Sequence, residues 1–355
     1  MSTDPFSHIW LSGLFSDDEL AECLSAANSL QHMLAVESAY ARALGKSGVV
    51  ESQLAEEAAG KIEAATPDIT VLKEGTGRDG VVVPSLVAEL KATIPNEFHS
   101  AIHSGMTSQD IIDTSLVLTL KQVCTILSLR LVTLSNALDT LSQKFGERQM
   151  QGRTRMQAAQ PITVADRIRT WNEPLASHLD RLKELSPRLL VIQLGGAVGD
   201  RAALKYKAAE ISSLMADQLN IGNSQSSWHT KRDNIVEFAG WLSLVAGTLG
   251  KMGQDIVLMA QQGVDEIVLE TGGQSSAMPH KRNPISAELL ATLARFNATQ
   301  ISGMHQAMVH EQERSGAAWT LEWMILPQMI MTTGCALNTA IKLAESISDI
   351  GADMK

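Results

Sequence analysis

The residues best suited to chemistry lie in one polar segment, residues 273–284 (GQSSAMPHKRNP). Two serine hydroxyls, an imidazole and two cationic side chains stand between glycine, which lets the chain bend, and proline, which ends the bend. A serine hydroxyl is only weakly acidic, but it could exchange a proton if a nearby cation, backbone amides and the exclusion of water tuned it. A basic surface loop is the simpler alternative for this segment.

A second polar cluster is residues 103–110 (HSGMTSQD), followed by Asp113. The pattern predicts the capped start of a helix, with a hydroxyl of Thr107 or Ser108 accepting backbone N–H bonds. Free amides at a helix N-terminus also form an anion site, so Thr107, Ser108 and Gln109 are candidates for binding a carboxylate. By itself, a histidine such as His103 is more often an ordinary residue than a catalytic one.

A third cluster is residues 152–163 (GRTRMQAAQPIT), which includes Arg155 and Gln157. Arginine cannot give up its proton at neutral pH, but its planar guanidinium can clamp a carboxylate through two parallel hydrogen bonds. Arg155 is therefore predicted to bind an anion. The alternative is an arginine in a surface loop.

These clusters resemble the signatures of the fumarase/aspartase superfamily. Residues 273–284 are similar to the motif GSSxMPxKxNP, residues 103–114 to HxGxTSxDxxDT, and residues 153–163 to RTHxQxAxPxT. The resemblance implies that Ser275 is the catalytic serine and that Lys281 and Asn283 hold the substrate carboxylate and the developing enolate. One departure is Gln274, which stands where these proteins usually have glycine.

Two further strings, residues 228–233 (WHTKRD) and 311–323 (EQERSGAAWTLEW), resemble WHTxRD and EHERxxGAWxxEW of the bacterial 3-carboxy-cis,cis-muconate cycloisomerases. They add Arg232 and Arg314 as candidate substrate ligands, although helix structure alone would account for either string singly. The resemblance implies lactonisation of a substituted muconate, with the substituent and the syn or anti course left open. The sites follow by the same resemblance: catalytic Ser275, His103 and Lys281; substrate-binding Thr107, Ser108, Gln109, Arg155, Gln157, Asn283, Arg232 and Arg314; and no metal or cofactor.

Adenylosuccinate lyase is the main alternative activity. That enzyme carries histidines where this chain has Arg155 and Ala158, so an acid/base group of those lyases is missing here. A purely structural role, as in crystallin-like relatives, is disfavoured because Ser275, Lys281 and Asn283 are intact.

Composition limits the partners. The 355 residues are 45% hydrophobic with a formal charge of −10, which disfavours nucleic acid because phosphate binding needs clustered cations. An anionic polycarboxylate would therefore need a local cationic pocket. Cys23, Cys124 and Cys335 are predicted to be buried thiols. With no secretory signal and no uninterrupted run of eighteen apolar residues, the sequence predicts a cytoplasmic protein without membrane contact.

The elements that must position these residues are long helices. Ala, Leu and Met dominate, and apolar residues recur at helical spacing over 107–145 (with a possible break at Ser128), 163–185, 233–262 and 284–315. Shorter helices are predicted at 17–43 and 52–65, with a glycine-rich turn at 75–80.

The predicted architecture is all-α. A small N-terminal helical domain (1–100) precedes a central long-helix bundle (101–345) that carries the signature loop 271–284. We expect a C-terminal domain shortened relative to the lyases. The resemblance further implies a homotetramer in which three subunits share each active site.

Overall fold

The computed structural model describes residues 4–270, 272–274, 277–278 and 281–351. Its helices, in chain order, are α1 Ser12–Phe15, α2 Asp18–Cys23, α3 Ala26–Lys46, α4 Ser52–Glu63, α5 Ile69–Asp79, α6 Val83–Thr93, α7 Ser108–Phe145, α8 Val164–Leu189, α9 Ala208–Leu219, α10 Asp233–Met259, α11 Ile285–Ala307 and α12 Ala317–Glu345. Two 3₁₀ segments, Asn96–Ala101 and Ala202–Lys207, connect helices. The predicted all-α class is confirmed.

Short antiparallel ribbons supplement the helices. The strands are β1 Gln149–Thr154, β2 Gln157–Thr163, β3 Ile267–Leu269, β4 Gly273–Gln274, β5 Arg282–Asn283 and β6 Ile347–Ile350. They pair as β1 with β2, β3 with β6 and β4 with β5.

Five long helices, α7, α8, α10, α11 and α12, pack side by side around the larger of two hydrophobic clusters. α7 is uninterrupted over 38 residues, about 57 Å at the α-helical rise. The predicted break at Ser128 is wrong, because its hydroxyl donates to the Cys124 carbonyl one turn earlier and leaves the helix intact.

The second hydrophobic cluster joins α3, α4, α5 and α6 to residues 192–216, which include α9. Segments from the middle of the chain thus complete the packing of the N-terminal helices. The domain boundary predicted at residue 100 stays a prediction.

Several helix boundaries differ from the sequence predictions. Residues 75–79 belong to α5, and the turn is confined to Gly80, whose φ of +73° suits glycine. The predicted helix 17–43 is divided at Leu24 and Ser25, where the Ser25 hydroxyl caps α3. The helix predicted over 284–315 ends at Ala307. Cys124 and Cys335 are buried as predicted, and Cys23 is half-buried.

By length and composition alone, α7, α10 and α12 would each be able to cross a membrane. In this fold α12 packs against both other helices within the bundle. The predicted lack of membrane contact therefore stays a prediction.

Candidate active site

The start of α7 is organised by one buried carboxylate, that of Asp110. Its Oδ1 accepts hydrogen bonds from the Gly195 amide (2.7 Å) and from Nε2 of His229 (2.8 Å). Its Oδ2 accepts from the amides of Gly196 (2.9 Å) and Thr107 (3.0 Å). Asp110 therefore fixes the predicted anion-binding helix end against two loops that come from distant parts of the chain.

One turn along α7, Asp113 joins a second buried group of charges. The guanidinium of Arg232 donates to both oxygens of Asp113 (2.7 and 3.1 Å) and to both oxygens of Glu322 (2.6 and 3.0 Å). Trp319 Nε1 also donates to Asp113, at 3.2 Å. Burial raises the pKa of Glu322, although Arg232 opposes the shift. These contacts tie the beginnings of α7, α10 and α12 together.

The structure thus brings together residues of three separate sequence strings, 103–113, 228–233 and 311–323. Two of the candidate substrate ligands already have hydrogen-bond partners inside this network. Arg232 is 1% exposed, with both of its carboxylate partners inside the chain. Gln109 is also 1% exposed, and its amide N–H groups donate to Asp113 and to the His229 carbonyl. Both side chains are therefore held by partners within their own chain, and their predicted role in substrate binding stays a prediction.

Unsatisfied polar atoms concentrate around the same network. Among the described residues, buried atoms without a hydrogen-bond partner include Gln109 Oε1, His229 Nδ1 and both ring nitrogens of His310. Burial and the nearby charge of Arg232 lower the pKa of His310. Native structures leave few such atoms unpaired, so their concentration marks this end of the bundle as a place for further polar contacts.

The other residues predicted at this end are more accessible. Thr107 and Ser108 are half-buried at the α7 N-terminus. Arg314 is exposed and donates to the carbonyls of Gly196 (3.3 Å) and Ala197 (2.7 Å). His103 is half-buried, and its Nδ1 lies 2.6 Å from Oε1 of Glu37.

Glu37 was missed by the sequence reasoning. A signal was present, because this carboxylate occupies the apolar stripe of α3 together with Met33, Val36 and Tyr40, all of which are buried. A charged residue on the buried face of a helix is rarely found without a partner.

Arg155 and Gln157 lie on the β1–β2 hairpin. Arg155 and Met156 form its two-residue turn, with φ of +49° and +66°, a left-handed conformation that costs about 1 kcal/mol or more for each non-glycine residue. Both side chains and that of Gln157 are exposed. The ribbon thus presents Arg155 at its tip, outside the core of its own chain.

The signature segment is partly described. Ser275 lies outside the described residues. Lys281 is exposed, and Asn283 is half-buried on β5, opposite Gly273 of β4. The Arg282 guanidinium donates to the Glu270 carbonyl at 3.4 Å.

The described site residues occupy opposite ends of the bundle. His103 and Thr107 precede the start of α7, whereas the hairpin follows its C-terminal end and is tied through Arg153 to Glu266 at 2.9 Å, beyond the end of α10. Lys281 and Asn283 stand just before α11, at this second end. Because α7 is about 57 Å long, one chain does not bring the two groups into a common pocket.

Comparison with known proteins agrees with the sequence signatures. A family model described as Lyase matches residues 13–303. The chain is 37% identical to a 3-carboxy-cis,cis-muconate cycloisomerase of Pseudomonas aeruginosa, over 90% of this chain and 71% of that relative. The chain belongs to the fumarase/aspartase superfamily.

Solved structures of superfamily members have the same fold. The 3-carboxy-cis,cis-muconate lactonizing enzyme from Pseudomonas putida superposes with a TM-score of 0.90 at 35% identity, covering 96% of this chain and 78% of that one. A fumarate lyase from Mesorhizobium superposes with a TM-score of 0.88 at 29% identity, covering 95% of this chain and 76% of that one. The long central helices are therefore the superfamily scaffold.

Proposed function

We propose that this chain is a cofactor-independent cycloisomerase that converts 3-carboxy-cis,cis-muconate, or a similarly substituted muconate, into a muconolactone. The main support is its similarity to relatives of that named activity, at 33–37% identity over 71–82% of their length. Further support comes from Arg232, Trp319 and Glu322, which belong to the cycloisomerase-like strings. Arg232 and Trp319 donate to Asp113, and Glu322 accepts from Arg232.

The proposed reaction forms one C–O bond within the substrate. A substrate carboxylate attacks the substrate's own double bond, and the adjacent carbon, which lies next to another carboxylate, then takes up a proton. Because the nucleophile is part of the substrate, the protein needs to supply only positioning, charge stabilisation and a proton donor. We assign the proton transfer to Ser275 and the stabilisation of the aci-carboxylate to Lys281 and Asn283.

Arg155 takes a binding role in this scheme. Its place at the exposed hairpin tip leaves its guanidinium able to clamp a substrate carboxylate presented by another subunit. No acid is needed for the leaving group in the reverse direction, since the departing oxygen is a carboxylate. Adenylosuccinate cleavage, in contrast, is disfavoured by a fixed cation at this position.

The active form that we propose is a homotetramer with shared sites. The separation of His103 and Thr107 from Arg155 and Lys281 along one chain supports sharing, because symmetry can pair opposite ends of neighbouring bundles. Large apolar side chains are also exposed on the central helices, which favours burial against further copies. They are Leu129 and Val132 on α7, Leu244 on α10 and Met324 on α12.

The test is turnover of a panel of muconates by the purified protein, followed as loss of diene absorbance, beside an adenylosuccinate assay. We expect lactonisation of the 3-carboxy compound and no adenylosuccinate cleavage. Comparison of the turnover of a sulfonate-substituted muconate with that of the 3-carboxy compound identifies the substituent that the enzyme prefers. Adenylosuccinate cleavage without turnover of any muconate would overturn the proposed activity. The predicted cytoplasmic location stays a prediction.

A further inference from the structure

The imidazole of His103 is held by the carboxylate of Glu37 on α3. Oε1 of Glu37 lies 2.6 Å from Nδ1 of His103, and Oε2 accepts the backbone N–H of His103 at 3.1 Å. The Glu37 side chain is fully buried, whereas that of His103 is 17% exposed. One carboxylate thus forms hydrogen bonds with both the ring and the main chain of the same histidine.

These two hydrogen bonds stabilise an unfavourable backbone conformation at His103. His103 has a φ of +56°, in the left-handed region that non-glycine residues rarely adopt. One turn along α3 from Glu37, the buried Tyr40 hydroxyl donates to the carbonyl of Ser104. Two side chains from one face of α3 therefore hold residues 103 and 104 in place, and strain of this kind concentrates at functional sites.

The hydrogen bond also determines which ring nitrogen carries the proton. An ionised carboxylate only accepts hydrogen bonds, so Nδ1 of His103 must be the protonated nitrogen in the neutral ring. Nε2 then carries a lone pair, and among the residues described by the structure no group is bonded to it.

A second histidine–carboxylate pair provides an internal comparison. His229 is bonded through Nε2 to Asp110, but its side chain is only 2% exposed and its Nδ1 is buried. That ring is enclosed by its own chain. Between these two pairs, only the one formed by His103 combines a fixed tautomer with access from outside.

We propose that Glu37 is a positioning residue for catalysis: it holds His103 as the Nδ1–H tautomer, so that Nε2 presents its lone pair to the active site as a hydrogen-bond acceptor. The inference rests on the proposed function for its reaction, but the tautomer itself is measured without substrate. Glu37 contacts no substrate and acts only through His103.

The decisive variant is Glu37→Gln, because its amide offers one acceptor where the carboxylate offers two. In ¹⁵N-histidine NMR of the resting protein, with the His103 signals assigned by comparison with His103→Gln, we expect pure Nδ1–H tautomer in the wild type and a mixture in Glu37→Gln. The kcat should fall about tenfold or more, with KM changed less than about threefold. Glu37→Asp retains a carboxylate and should recover both the tautomer and part of the lost kcat.

Glu63→Gln is the matched control. Glu63 is also a carboxylate of the N-terminal helices, but it accepts from Arg42 and Ser38 instead of from a histidine. Its variant should leave the His103 signals and kcat unchanged. An unaltered His103 tautomer in Glu37→Gln, or an altered tautomer with wild-type kcat, would overturn the inference. A wild-type protein that turned over no muconate would overturn the proposed function and leave the tautomer result standing.

Discussion

Arg232 and Asp113 form a pair of parallel hydrogen bonds between two side chains that are both fully buried. Neither group would be tolerated alone in this position, because an isolated buried charge carries a large desolvation penalty. Glu322 accepts from the remaining edge of the same guanidinium. One arginine therefore holds two carboxylates that belong to different helices.

Replacing this arginine with a chain of similar length but no charge should be strongly destabilising. We expect Arg232→Met to lower the free energy of unfolding by about 3–5 kcal/mol, because the buried carboxylates of Asp113 and Glu322 lose the positive charge that balances them. Thermal unfolding at matched protein concentration measures the change. Arg188→Met is the control, since Arg188 pairs with Glu237 on the exposed surface and should matter little. Equal losses in the two variants would contradict the role of the buried network.

Two helix-capping aspartates allow a second matched comparison. Asp110 and Asp166 each accept the N-cap backbone N–H at the start of α7 and α8, but Asp110 is buried and also accepts from Gly195, Gly196 and His229. Asp110→Asn should cost about 2–3 kcal/mol, because an amide group would face an N–H donor. Asp166→Asn should cost clearly less, since water can reach that carboxylate. Urea unfolding of both variants checks the order, and the reverse order would count against the assignment of Asp110 as the organising residue.

The signature loop makes a kinetic prediction. Ser275→Ala should lower kcat at least about a hundredfold with a small change in KM, because the proton donor is lost while the binding groups remain. Ser276→Ala, one residue along the same loop, should be much milder. Steady-state kinetics with the 3-carboxy muconate distinguish the two. Similar, small effects of both substitutions would refute the role assigned to Ser275.

Sharing of sites can be tested by mixing inactive protomers. Ser275→Ala and Arg155→Ala subunits, unfolded and reassembled together, should recover part of the activity, because some sites then receive both intact regions from different chains. Ser275→Ala mixed with Lys281→Ala is the control and should recover none, since these residues belong to one loop of one chain. Light scattering should report tetramers in each mixture. Mixed tetramers of the first pair that stay inactive would argue that Arg155 and Ser275 of each site come from the same chain.

Acid should destabilise the bundle through His178 on α8. This residue is 3% exposed, and burial, helped by the charge of Arg181, lowers its pKa from 6.5 to about 4. The unfolded chain therefore binds more protons between these values, so the stability contributed by the neutral ring is lost as pH falls from 6.5 towards 4. Urea unfolding at pH 7 and pH 5 should show a loss about 1–2 kcal/mol larger in the wild type than in His178→Gln. The same loss in both proteins would exclude His178 as its source.

Much of the scaffold follows from local sequence. The start of α7 at Ser108 and that of α8 at Val164 are predicted to within one residue, because helix capping and apolar spacing act over only a few residues. The helix divided at Ser25 and the overlong prediction beyond Ala307 show the limit of this approach. Apolar spacing continues across both points, and tertiary packing determines where each helix ends.

The role of individual polar residues is a different matter. By itself, the sequence determined the helical class, the superfamily and the polar segments that carry its signatures, since each depends on residue types at short, fixed spacings. Only the tertiary structure decided that Arg232 is enclosed between Asp113 and Glu322, and that Glu37 holds His103 from 66 residues away. Burial and pairing depend on which distant helices pack together, and the spacing of residues along a chain does not contain that information.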